Sequence, residues 1–170
     1  MKKIFYSLIF VVVSTIGFAQ TESAKEFYNS GNLKLDKKEY KEAINDYDKA
    51  IELNKKFSEA YYNRALAKNY LKDYKGAIAD YSESLELDST NIQALNALNN
   101  RGLAKKALED YDGAVEDYTK AINLNESFAS AYFNRGSVKV LMDENGCEDF
   151  RKALDLGNFK AMEYIDKYCK

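Results

Sequence analysis

One phrase returns along this chain and restricts its fold more than any other feature. It reads Glu-Tyr-Lys-Glu-Ala-Ile-Asn-Asp-Tyr-Asp-Lys-Ala-Ile-Glu-Leu at 39–53. It returns as Asp-Tyr-Lys-Gly-Ala-Ile-Ala-Asp-Tyr-Ser-Glu-Ser-Leu-Glu-Leu at 73–87 and as Asp-Tyr-Asp-Gly-Ala-Val-Glu-Asp-Tyr-Thr-Lys-Ala-Ile-Asn-Leu at 110–124. A worn copy, Glu-Asp-Phe-Arg-Lys-Ala-Leu-Asp-Leu, lies at 148–156. A second phrase alternates with it: Phe-Tyr-Asn-Ser-Gly at 27–31, Tyr-Tyr-Asn-Arg-Ala at 61–65, Leu-Asn-Asn-Arg-Gly at 98–102 and Tyr-Phe-Asn-Arg-Gly at 132–136. Asp46 to Asp80 spans 34 residues, Asp80 to Asp117 spans 37, and Asp117 to Asp149 spans 32. A repeat of this length is one supersecondary unit, and it buries its apolar face by stacking on copies of itself.

Within the phrase the apolar positions keep helical spacing. Tyr40, Ala43, Ile44, Tyr47, Ala50, Ile51 and Leu53 lie on one face of a helix. Small residues recur where helices must approach: Gly31, Ala65, Gly102 and Gly136 in the first helix of each unit, and Ala43, Ala77, Ala114 and Gly146 in the second. Tyr47, Tyr81, Tyr118 and Phe150 are the large residues expected beside them.

This pattern resembles the tetratricopeptide repeat over about residues 22–156. The resemblance implies an all-α, right-handed superhelical solenoid of about four helix-turn-helix repeats with a concave groove. It implies binding of proteins or peptides rather than catalysis. The repeats are expected at about 24–57, 58–91, 92–128 and 129–157, with a capping helix at 158–170. Ala94-Leu95-Asn96 is followed directly by Ala97-Leu98-Asn99, a tandem insertion of nearly one helical turn. The first helix of the third unit is therefore expected to start near Asn91 and to project beyond its neighbours.

Composition removes other classes. The 170 residues include no His, Pro or Trp and two Cys. Without His there is no imidazole base and no Ser-His triad, and two cysteines cannot build a Cys-only zinc site. A net charge of -2 gives no global pull toward nucleic acid. We expect no enzyme activity, no cofactor, no metal, no nucleic acid and no small-molecule substrate. Asp110-Tyr-Asp112-Gly113 and Asp143-Glu-Asn145-Gly146 lack the remaining ligands of a calcium loop.

The N-terminus reads as an address. Lys2 and Lys3 precede an almost wholly apolar run from Ile4 to Phe18, and Gly17 and Ala19 are small residues at the positions a signal peptidase reads. A signal peptide at 1–19, cut before Gln20, is expected, leaving a single domain at 20–170. The apolar run is short of the roughly 20 residues a spanning helix needs. Membrane contact is expected only through this segment, and the mature chain is expected to be exported to a bacterial periplasm, with secretion or envelope association as the alternatives.

Two further features bear on the stack. Asp46, Asp80 and Asp117 precede the recurring Tyr, and Arg64, Arg101 and Arg135 recur in first helices. The first unit has Ser30 in place of Arg and no Asp before it, so pairing is expected across unit boundaries: Asp46 with Arg64, Asp80 with Arg101, Asp117 with Arg135. At the other end Gly157 is expected to end the last repeat helix, and Phe159, Met162, Ile165 and Tyr168 to form the face of a capping helix. Cys147 and Cys169 lie ten and twelve residues on either side of Gly157. In an antiparallel hairpin they reach similar heights, so in an oxidising compartment a Cys147–Cys169 disulfide is expected.

In the resembled family the first helices line the concave face. Carried onto this chain, the partner-binding positions are Tyr28, Asn32 and Leu35; Tyr62, Asn63, Leu66 and Asn69; Asn99, Asn100 and Leu103; and Phe133, Asn134 and Ser137. Asn29, Asn63, Asn100 and Asn134 hold equivalent places, and an Asn row both donates to and accepts from an extended backbone. Some members grip a chaperone C-terminal carboxylate with Asn and basic residues. Here that frame reads Tyr28, Asn32, Asn63, Asn96 and Asn100, with no cation, so no such clamp is expected. The rival to a groove binder is a structural subunit of an envelope assembly, contacting through its convex face or edges.

Overall fold

A computed structural model describes residues 22–89 and 92–169. The expected signal peptide and Asn91 lie outside the described residues. Among the described residues there are nine helices and no strand. They are α1 (22–36), α2 (Tyr40–Leu53), α3 (Ser58–Tyr70), α4 (Tyr74–Leu87), α5 (Ile92–Ala107), α6 (Tyr111–Leu124), α7 (Ala129–Leu141), α8 (Cys147–Asp155) and α9 (Lys160–Tyr168). Each helix from α2 to α8 packs on the next, which is the all-α helical-hairpin solenoid expected from the repeat.

The turn inside each hairpin is built the same way four times. Lys38, Lys72, Glu109 and Asp143 have φ of 59–64°, the left-handed conformation that ends a helix. At Lys72 the N–H donates to Asn69 O, and the next N–H, of Asp73, donates to Lys68 O. Asp73 and Asp110 then cap α4 and α6 by accepting from the N–H of Gly76 and Gly113. Gly157, with φ of 90°, closes α8 in the same manner.

The small and large residues meet as their pattern requires. Tyr47, Tyr81, Tyr118 and Phe150 are fully buried. A Cβ on Gly31 or Gly102 would stand 2.6 Å from the ring of Tyr47 or Tyr118. Gly136 and Gly146 face each other so closely that a Cβ on Gly146 would strike the Gly136 carbonyl. On α2, Ala43, Tyr47, Ala50 and Ile51 are buried, whereas Leu53 is exposed. Tyr40 leaves that core and stacks on Tyr70 of the next unit, with ring centroids 4.7 Å apart.

The third unit carries its extra turn at the start of α5. This helix has 16 residues, against 13 in α3 and α7. Leu95 and Leu98 of the insertion join the core, and Ile92 protrudes with 74% of its surface exposed.

The ion pairs run differently from the expected pattern. Each Arg clamps the Asp of its own unit, not that of the unit before. Arg64 Nε and Nη2 donate to Asp80 at 2.8 and 2.7 Å, Arg101 to Asp117 at 2.9 and 2.6 Å, and Arg135 to Asp149 at 3.1 and 2.6 Å. The reason is the hairpin: the middle of each first helix faces the middle of its own second helix. The remaining Nη1 reaches across the boundary, to Asp48, Ser82 and Thr119 in turn. A lysine one turn after each Arg completes the clamp: Lys68 on Asp80, Lys105 on Asp117 and Lys139 on Asp149. In the first unit Ser30 and Lys34 hold Asp46 without an Arg. Burial pushes the Asp149 carboxyl up, but the hydrogen bonds and charges of Arg135 and Lys139 prevail and hold it below its usual value.

The capping helix turns inward a face that keeps Ile165 of the expected four and leaves Tyr168 42% exposed. Phe159 and Met162, expected inside, are 75% and 52% exposed. Ala161 is fully buried, and Tyr164 and Ile165 pack beside it. Tyr164 decides the rotation, because its ring lies 4.9 Å from Phe133 and 5.2 Å from Phe150. Cys147 and Cys169 are joined by a disulfide, with Cα atoms 5.6 Å apart, which ties the end of α9 to the start of α8.

Candidate functional site

Neighbouring first helices touch one another, α3 with α5 and α5 with α7, while no contact of that extent joins the second helices. The row therefore curves with the first helices on its inner side. On each of them a 4–3 spacing puts three residues on the inner face: Tyr28, Asn32 and Leu35 on α1; Tyr62, Leu66 and Asn69 on α3; Asn99, Leu103 and Lys106 on α5; Phe133, Ser137 and Val140 on α7. Lys106 and Val140 were not among the expected groove residues. Continuing the 4–3 spacing by one step in the last two units finds both.

The fourth column is covered. Phe133 and Val140 belong to the cluster formed by Phe150, Ala161, Tyr164 and Ile165, so α9 packs over them. Ser137 is 7% exposed, and its hydroxyl donates to Phe133 O. The part open to a partner is the surface of α1, α3 and α5, without the expected Asn99, which is 8% exposed because α7 covers it through Asn134.

The asparagines join the helices of the groove. Asn63 Nδ2 donates to Tyr28 Oη at 3.1 Å and to Asn32 Oδ1 at 2.8 Å. Asn100 Nδ2 donates to Tyr62 Oη at 3.3 Å, and Asn134 Nδ2 to Asn99 Oδ1 at 2.9 Å. Each amide ties a first helix to its predecessor. Asn29, in the first unit, is exposed. An Asn63→Ala change would thus loosen the stack as well as alter the groove.

The middle row shows a mismatch between sequence and fold. In the first unit Tyr47 Oη donates to Asn32 at 2.8 Å. Fifteen residues before Tyr81 and Tyr118 stand Leu66 and Leu103, which have no acceptor. The Tyr81 and Tyr118 hydroxyls are buried, and among the described residues neither finds an acceptor. Burial drives the pKa of both phenols far up. Tyr118→Phe is expected to stabilise the fold by about 1 kcal/mol, since it removes an unsatisfied buried hydroxyl and keeps the ring. A shift of the urea midpoint upward at constant slope is the expected readout, and a clear loss of stability would show that the hydroxyl has a partner.

The family then follows from direct comparison. The model described as TPR repeat matches residues 31–69 and 102–142, and the tetratricopeptide repeat model matches 58–91, together more than half of the 170 residues. The chain belongs to the tetratricopeptide-repeat family. A search of curated proteins finds no match. Among solved structures, the TPR domain of Arabidopsis OM64 is 26% identical, with a TM-score of 0.67 over 72% of this chain and 98% of that one. MamA is 22% identical, with a TM-score of 0.76 over 88% of this chain and 86% of its own. The first TPR of Spaghetti (RPAP3), bound to an HSP90 peptide, is 23% identical, with a TM-score of 0.69 over 73% of this chain and 96% of that one. The tetratricopeptide repeat is generally a protein-interaction fold, which places this chain among interaction modules.

Proposed function

We propose that this tetratricopeptide-repeat protein binds an extended peptide or protein segment, without catalysis, in the groove formed by α1, α3 and α5. The observation that carries this reading is the Leu66–Leu103 pair. Both leucines sit on the inner face where Asn32 sits in the first unit, and each leaves a buried tyrosine hydroxyl without an acceptor. Leu103 is also 37% exposed, so more than a third of it stands open on the inner face. An apolar row that is only partly covered, with Leu66 resting on the Tyr81 core and Leu103 open beside it, fits a contact surface. The peptide in the Spaghetti (RPAP3) structure is consistent with this use of the fold. The compartment we propose is the bacterial envelope or periplasm, on the grounds of Lys2, Lys3 and the apolar run 4–18.

A second reading has its own support. Leu85, Leu98 and Leu124 line a depression on the side of the second helices, and Leu124 is 51% exposed. An assembly subunit would contact its neighbours there. Capture of a partner from envelope extracts separates the two. Leu66→Arg with Leu103→Arg is expected to abolish capture while helical circular dichroism is preserved. Equal capture by the variant and the wild type would contradict groove binding and support the outer depression.

A further inference from the structure

The four lysines that follow the ladder positions, Lys34, Lys68, Lys105 and Lys139, each hold a ladder aspartate. Lys106 is different. It stands on the groove face of α5, half-buried, and among the described residues its ammonium has neither a hydrogen bond nor an ion pair. Burial lowers its pKa, and no neighbouring carboxylate offsets that effect. One helix away, at the equivalent place on α3, lies Asn69. Its Oδ1 is buried and has no donor among the described residues. Equivalent places on two touching helices therefore hold a cation without an anion and an acceptor without an N–H. Leu66 and Leu103 lie one turn before them on the same faces.

This arrangement matches a particular ligand chemistry. A partly desolvated ammonium favours a carboxylate, and a charge-assisted bond there is stronger than a neutral one. An extended backbone offers the N–H that Asn69 lacks, and its side chains project alternately to the two sides. We propose that the groove selects an acidic side chain, Asp or Glu, of an extended partner segment. Its carboxylate meets Lys106, a backbone N–H of the segment donates to Asn69 Oδ1, and an adjoining apolar side chain rests on Leu66 and Leu103. The proposal rests on the groove reading above. It differs from the chaperone-tail frame, whose positions Tyr28, Asn32, Asn63, Asn96 and Asn100 hold no cation in this chain.

The test uses the full chain and a random octapeptide library, acetylated at the N-terminus and amidated at the C-terminus. A second library has free C-terminal carboxylates. Wild type is expected to enrich Asp and Glu at one position of the blocked peptides at least threefold. Lys106→Gln is expected to lose that enrichment, and Lys106→Glu to replace it with Lys and Arg. Selected single peptides should bind Lys106→Gln at least tenfold more weakly than wild type, with both proteins showing the same thermal melting. Equal acidic content for wild type and Lys106→Gln would overturn the proposal. Enrichment confined to the free-carboxylate library would overturn the side-chain source in favour of a chain terminus. The groove reading fails separately, if Leu66→Arg with Leu103→Arg selects the same peptides as wild type. A wild type that retains no peptide overturns both.

Discussion

Asp117→Ala is expected to lower the unfolding free energy by about 3–5 kcal/mol, the range for removing one partner from a buried ion pair. Asp117 is completely buried, and its two oxygens accept from Arg101 Nε and Nη2 while Lys105 Nζ lies 2.9 Å away. Without the carboxylate, a guanidinium and an ammonium that are only 14% and 17% exposed face each other. The loss comes from the stranded charges more than from the missing bonds. A companion change isolates that cause. Asp117→Ala with Arg101→Ala and Lys105→Ala should recover part of the loss, because no buried charge remains. Asp46→Ala should cost less, since its lysine is 32% exposed and no arginine is present. Urea unfolding of the set checks both points. A loss below about 1 kcal/mol at Asp117 would show that the site admits water.

Removal of the disulfide by Cys147→Ser with Cys169→Ser is the second large effect. The bond closes a loop with a sequence separation of 22, which corresponds to about 3 kcal/mol of loop entropy. In a solenoid each unit feels mainly its neighbours, so the loss should concentrate at one end. Amide exchange in α9 and α8 is expected to accelerate strongly, with α3 to α6 close to wild-type rates. Loosening of α9 would uncover Phe133, Phe150 and Val140, which it now covers. An added apolar dye should then bind the variant and not the wild type. Uniform acceleration along the whole chain would contradict local stapling.

The repeat was legible because every unit obeys the same steric rule. A small residue at 31, 65, 102 or 136 meets a large ring at 47, 81, 118 or 150, and both are visible as text. The partner of each Arg was not legible from position alone. Every Arg lies between two aspartates in the repeat order, and only the hairpin geometry chooses the one in its own unit. Ser30 misled for the same reason, since Lys34 supplies the cation one turn later. The face of α9 was ambiguous because this nine-residue helix carries apolar side chains on two sides, and the Tyr164 contact with Phe133 and Phe150 settles which side turns in. Lys106 is not legible from the repeat, because its equivalents are Leu35, Asn69 and Val140. The asparagine row was visible, but its amides prove to join neighbouring helices.

Site-specific photo-crosslinking in envelope extracts tests the central claim most directly. A photoreactive residue would replace Leu66 or Leu103 in the groove, and in separate proteins Glu83 or Asn123 on the second helices. Groove binding predicts a discrete adduct from 66 and 103, absent at 83 and 123 and displaced by peptides selected on the wild type. Adducts from 83 and 123 with none from the groove would contradict it.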